Sequence, residues 1–129
     1  FFIDSIDYDY CMRARAKGYR IIKVCKVGML HSLGRTKQYS VRRIKVHTTN
    51  HNAMRRYYMY RNSTVLAMEH FLNDPFYSFA VFWFQFKTLF LVQFLEEDKH
   101  IKFRCMFRGI SYGWRKRLGR VFINFKRDN

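Results

Sequence analysis

No aspartate or glutamate occurs between Tyr10 and Met68, although fourteen lysines and arginines fall in that stretch. Solvated surfaces ordinarily mix both signs. A one-signed field attracts anionic partners, whether nucleotides, nucleic acid or acidic lipid. Cysteine is scarce as well: Cys11, Cys25 and Cys105 are odd in number and show no Cys-X-X-Cys spacing. That argues against a disulfide framework and a zinc ribbon, and fits a reducing, cytosolic setting. The six glycines form no phosphate-cradling loop and no dinucleotide fingerprint. A Ser-His-Asp ordering, an internal repeat and a low-complexity tract are all missing. Asp4, Asp7 and Asp9 interrupt any apolar signal-peptide core in the opening residues.

What is present is apolar, aromatic and strongly basic. Of 129 residues, 49% are hydrophobic and 19% aromatic, with a formal net charge of +16. That is too much apolar material for a disordered chain. The sequence opens without Met, inside what reads as a helix N-terminus, so a piece of a longer protein is expected. Asp4 is the expected N-cap, with Asp7 at the capping-box position. The helix should run over residues 6–17 and stop at Gly18, with Asp9 and Arg13 paired at i,i+4. Tyr19-Arg-Ile-Ile-Lys-Val24 is β-rich, residues 27–30 form a second short strand candidate, and residues 41–46 a third. A long helix is expected over residues 53–72, started by Asn50 or Asn52 and stopped at Asn73-Asp74-Pro75.

Residues 76–95 hold nine Phe, Tyr or Trp and one charge, Lys87. Twenty residues match a bilayer span, but Ser78, Gln85, Lys87, Thr88 and Gln93 are costly in lipid. An interfacial helix lying among headgroups is the expectation, with a core helix as the alternative. A last helix, capped by Asp98, carries Phe103, Phe107, Ile110, Trp114 and Leu118 on one stripe. Arg104, Arg108, Arg115, Lys116 and Arg117 flank it, a pattern that binds anionic membrane surfaces. Gly109 and Gly113 lower its helix propensity.

Among candidate chemical groups, an Asp in a first helical turn sits where a carboxylate is favoured. From spacing alone Asp4 reads as a cap and Asp9 as Arg13's partner, while Asp7 suits either capping or general-base work. A calcium loop counted from Asp7 fails, because Met12 stands where its glycine must be. His31 lies where an apolar run meets a loop, with no adjacent metal partners in sequence. His47-X-X-X-His51 has Thr48 where a metalloprotease needs Glu. Lys17-Gly-Tyr-Arg-Ile-Ile-Lys-Val24 only partly matches the RNA-recognition signature.

Taken together, four segments resemble the C-terminal half of a bacterial family 2 glycosyltransferase, most closely the rhamnosyltransferase group. They are Phe1-Phe-Ile-Asp-Ser-Ile-Asp-Tyr-Asp-Tyr-Cys-Met-Arg13, Lys17-Gly-Tyr19, His31-Ser-Leu-Gly34 and Arg56-Tyr-Tyr-Met-Tyr-Arg-Asn62. Phe107-Arg-Gly-Ile-Ser-Tyr-Gly113 is similar to that group's C-terminal helix. The resemblance implies an α/β fold, with residues 1–52 as the incomplete end of a GT-A catalytic domain. Residues 53–129 would be a helical, aromatic and basic region associated with the membrane. It implies Asp7 as the base that activates an acceptor hydroxyl and Asp4 as its acidic companion, since Ile6 replaces the family's usual first acid. His31 would help hold a divalent metal, Mg or Mn, on the donor diphosphate, and Arg56, Tyr57, Tyr58, Arg61 and Asn62 would line the acceptor and diphosphate site. The partners implied are a dTDP-rhamnose-like donor, a glycan or lipid-linked acceptor and an anionic membrane, not nucleic acid. The location implied is the cytoplasmic face of the bacterial inner membrane. The donor-binding strands and metal motif belong to a preceding half, so residues 1–129 alone should be inactive. The rival reading is a non-catalytic basic module on anionic lipid or nucleic acid, and a nonfunctional remnant is the third.

Overall fold

Asn52 starts the central helix by accepting the Arg55 backbone N–H at 2.8 Å, and the helix (α2, Ala53–His70) is the axis on which the rest packs. The computed structural model describes residues 1, 3–28, 30, 37–41 and 44–121. Before α2 come a short helix (α1, Ile6–Ala16) and two strands (β1, Lys37–Val41; β2, Ile44–Thr48). After it come α3 (Pro75–Leu95) and α4 (Lys99–Trp114). Asp74 caps α3 through Tyr77 N–H at 3.0 Å, and Pro75 takes the first turn, where its missing N–H costs nothing.

The α/β expectation is overturned. The described chain is mostly helical, and its one sheet is a two-stranded antiparallel hairpin with Lys37 opposite Thr48 and Val41 opposite Ile44. Residues 19–24, 27, 28 and 30 are in no strand. Ile21, Ile22, Val24, Val27 and Leu30 are exposed, with no neighbouring strand among the described residues to satisfy their backbone. β-branched composition marks a residue that suits a sheet; it does not supply one. The single strand expected over 41–46 is divided, with Val41 ending β1 and Ile44 opening β2. The helix positions hold, including Gly18 at φ 82° just after α1.

The core lies along α2. Tyr57 and Tyr58 meet Cys105 on one flank; Tyr60, Val92 and Met106 meet on another. Helix α4 approaches α2 through Gly109 and Gly113, the residues expected to weaken it. A Cβ at Gly109 would stand 2.5 Å from the Tyr57 carbonyl oxygen, and one at Gly113 would stand 2.8 Å from that of Arg61. With Cys105 these residues form a small-residue row at steps of four, which lets two backbones close on each other. Gly109→Ala would gain about 1 kcal/mol of helix propensity. Overlap with a backbone oxygen outweighs that gain, so a net loss of about 1–2 kcal/mol is expected in urea denaturation. An unchanged midpoint would mean that α4 relaxes away from α2 at no cost.

The stripe expected on α4 is not its packing face. Lys102, Cys105, Met106, Gly109 and Gly113 are buried instead, while Phe107, Trp114 and Leu118 are exposed. Asp98 precedes α4 in a left-handed conformation, without a side-chain cap bond.

Candidate functional site

The acidic turn before α1 is held in an unusual backbone conformation. Asp4 and Ser5 have φ of 65° and 62°, the left-handed region that costs non-glycine residues about 1–3 kcal/mol each unless the surroundings impose it. Asn62 imposes it. From the interior of α2 its amide donates to the Ile3 carbonyl at 2.5 Å and to the Asp4 carbonyl at 3.0 Å. Arg61, fully buried beside it, orients that amide by donating Nε and Nη2 to Asn62 Oδ1 at 3.0 and 2.9 Å. The same guanidinium lies over the Tyr58 ring at 4.8 Å and donates Nη1 to the Gly119 carbonyl at 2.6 Å. A planar cation between an aromatic face and carbonyl acceptors is fixed in one orientation.

This clamp changes the roles expected of the three aspartates. Ser5, not Asp4, is the N-cap residue, and no side chain caps the helix. Asp4 Oδ1 accepts the Ser5 N–H at 2.9 Å, and its Oδ2 stands 4.0 Å from Arg55. Asp9 pairs with Arg13 at 2.7 Å, as its spacing indicates. Asp7 is exposed in the first turn of α1, without a hydrogen bond or ion pair among the described residues. The capping role that competed with catalysis at Asp7 is therefore not taken up.

Beside this turn is a cavity of about 300 Å³ between α1, α2 and α3. Asp4, Ser5 and Tyr8 form one wall, Arg56, Tyr60 and Ser63 the second, and Tyr77, Val81, Phe84 and Gln85 the third. Its lining is chiefly apolar, with polar groups at intervals that orient a ligand, the usual make-up of a small-molecule pocket. Asp7 does not line it, although Ser5 and Tyr8 on either side do. Of the acceptor-lining residues expected, Asp4 and Arg56 reach this cavity. Tyr57, Tyr58, Arg61 and Asn62 are buried in the interior of α2 and hold the structure around it.

Arg56 also belongs to a buried charge cluster. Its Nη2 donates to Glu96 Oε1, which takes the Thr48 hydroxyl at 2.5 Å; Lys102 Nζ donates to Oε2 at 2.9 Å and to Asn50 Oδ1 at 2.7 Å. Burial alone would push the Glu96 carboxyl up. The Thr48 hydroxyl, Lys102 and Arg56 outweigh it and hold the group below its ordinary range. His51, next to this cluster, is held below its ordinary value by burial and then by Arg55 and Arg56, which favours its neutral form. β2, α2, α4 and the end of α3 therefore meet at one carboxylate.

The expected metal ligand, His31, lies outside the described residues. Among those residues no three His, Cys, Asp or Glu side chains converge on a point. Asp7-Tyr8-Asp9 is an Asp-X-Asp by letter, yet residues two apart on a helix point about 200° apart. No step is therefore routed through a metal. Glu96 and Lys102 escaped the sequence reading, although a signal existed. A helix with three arginines inside an acid-free stretch needs a carboxylate from elsewhere, and Glu96 follows directly on the apolar run.

No family model matches the chain, and no match was found among curated proteins or solved structures.

Proposed function

We propose that the chain is the acceptor-side part of an inverting glycosyltransferase, with Asp7 as its general base. The observation that carries this reading is the Asn62 clamp. The two segments with the most specific resemblance, around Phe-Ile-Asp-Ser-Ile-Asp7 and Arg-Tyr-Tyr-Met-Tyr-Arg-Asn62, are 58 residues apart yet hydrogen-bonded to each other. A left-handed turn held from the core, with an exposed carboxylate in the next helical turn and a cavity at its side, is the kind of rigid presentation that catalysis requires.

In this mechanism an acceptor hydroxyl rests at the mouth of the cavity, near Ser5 and Tyr8. Its oxygen attacks the anomeric carbon of a nucleotide-diphosphate sugar of the rhamnose type. As the new C–O bond forms, the bond to the diphosphate breaks and the nucleotide diphosphate leaves with the electron pair. Asp7 Oδ accepts the hydroxyl proton. The one-signed basic field from Tyr10 to Met68 favours the departing anion. Attack opposite the leaving group inverts the anomeric centre.

In the full-length protein that contains this chain, Asp7→Asn should lower transfer about 10²–10⁴-fold, the usual contribution of a general base. Donor binding should persist in isothermal titration. Near-normal turnover in that variant would remove Asp7 from the role. Purified residues 1–129 should not turn over a nucleotide sugar, and sustained turnover by them would overturn the assignment to the acceptor side alone.

A further inference from the structure

Helix α3 is inside out. Its buried residues are Ser78, Gln85, Thr88 and Val92, three of them polar. Each of the three is satisfied within the protein. Ser78 Oγ donates to the Ala67 carbonyl at 2.8 Å, Gln85 Nε2 to Ser63 Oγ and Thr64 Oγ1 at 2.9 and 3.0 Å, and Thr88 Oγ1 to the Phe84 carbonyl at 2.8 Å. The opposite side carries Phe76, Phe79, Trp83, Phe86, Phe90 and Phe94, all more than half exposed. At 100° per residue these six fall within one stripe along the whole helix. Water-soluble packing buries phenyl rings and exposes glutamine; polar groups turned inward and aromatics turned out suit a hydrocarbon solvent.

We infer that α3 lies in the plane of one leaflet of an anionic bilayer, its aromatic stripe in the acyl region, with a lipid chain seated in the groove between α3 and α4. Three observations select this occupant. First, three of the five polar residues that spoke against lipid contact in the sequence, Ser78, Gln85 and Thr88, face α2 or bond within the helix, which leaves only Lys87 and Gln93 exposed. Second, the exposed Lys87 sits at the edge of the stripe near mid-helix. In a spanning helix it would sit near the bilayer midplane, where a lysine costs about 2.5–3.5 kcal/mol; in an in-plane helix it reaches the phosphates. Third, Phe103 of α4 joins Phe86, Leu89, Phe90, Gln93 and Phe94 around an open groove of about 430 Å³. Beyond Phe103, the exposed Phe107 and Trp114 continue the apolar surface along α4, and Arg104, Arg108 and Arg115 follow on its outer side. A cationic rim around an apolar face complements acidic headgroups. The inference is independent of the transfer reaction.

Vesicle binding and depth-resolved quenching test it with the 129-residue chain. Trp114→Phe leaves Trp83 as the single tryptophan. The chain should partition onto phosphatidylglycerol vesicles in preference to phosphatidylcholine, and Trp83 should be quenched most by lipids brominated high on the acyl chain. A spanning α3 would place Trp83 within about 3 Å of the midplane along the helix axis, so strongest quenching by deep bromines would overturn the in-plane placement. Lack of partitioning would overturn the membrane assignment, as would a dimer in sedimentation that hides Trp83 from every bromolipid. The combined substitution Phe86→Ser, Phe90→Ser and Phe94→Ser should lower the partition coefficient about tenfold or more. Lys87→Gln, which leaves the packing untouched, should reduce the preference for phosphatidylglycerol about fivefold. An unchanged preference in that variant would remove Lys87 from the headgroup contact.

Discussion

Glu96→Ala is expected to lower the unfolding free energy by about 3–5 kcal/mol, because it leaves two buried cations without their anion. The Glu96 side chain is fully enclosed, and those of Arg56 and Lys102 nearly so. Neither cation is open enough to solvent for hydration to replace the carboxylate. Glu96→Gln should lose less, since an amide oxygen in place of Oε1 still accepts from Arg56 and Thr48. Urea denaturation monitored by far-UV circular dichroism measures both, and a loss under about 1 kcal/mol for alanine would show that the cluster is hydrated. The wild-type chain carries a matching pH signature. A carboxylate held below its unfolded value contributes stability that is fully present above that value and is lost as pH falls through the folded value. The Glu96 contribution should therefore be constant above about pH 5 and decline in acid, starting below the ordinary value of 4.5. Glu96→Gln should remove that part of the acid dependence.

Asn62→Leu, which keeps the branched side-chain shape without its polar atoms, should cost about 2–4 kcal/mol, mainly by leaving buried polar groups unpaired. The carbonyls of Ile3 and Asp4 lose their donor, and Arg61 loses the oxygen that both Nε and Nη2 reach. The left-handed turn at Asp4 and Ser5 then has nothing to impose it and should relax. Helix α1 buries none of its own residues, so its amides should lose hydrogen-exchange protection well before those of α2. Asn62→Asp separates the two halves of the clamp, because it keeps an acceptor for Arg61 while withdrawing the donor from the turn. Protection of α1 equal to wild type in both variants would show that the turn is held by something other than Asn62.

The first three helices were legible because each has local punctuation. Gly18 sits past α1, Asn52 before α2, and Pro75 in the first turn of α3, and each acts within one helical turn. The strands were not legible. Residues 19–24 have strand composition, but a strand requires a partner at its edge, and the sequence of one segment does not encode its neighbour. The site was legible in part for the same reason. Asp7 and Asp9 declare themselves by their place in a first turn, whereas Asn62 and Arg61 read as site-lining residues by resemblance. Their work is done from the interior, on backbone carbonyls that have no letter in the sequence. Gly109 and Gly113 read as a weakness on a propensity scale, and only the nearness of α2 makes them, with Cys105, a contact surface. On α3 the number of polar residues is plain in the sequence, but their place on the side opposite the phenyl rings depends on where α2 packs.

Adjacent residues of α2 hold segments from opposite ends of the described chain, Asn62 at Ile3 and Asp4 and Arg61 at Gly119. Contacts so far apart in sequence close large loops, so they form after the local helices and add to the slow part of folding. During synthesis, residues 1–16 must wait until about Gly119 has left the ribosome before both hands of the clamp can close. Until then Arg61, which orients the Asn62 amide, lacks its Gly119 acceptor. A release assay that follows the left-handed turn, by cross-linking Ile3 to Asn62 in stalled chains of increasing length, should show the contact tightening only once Gly119 is free to fold.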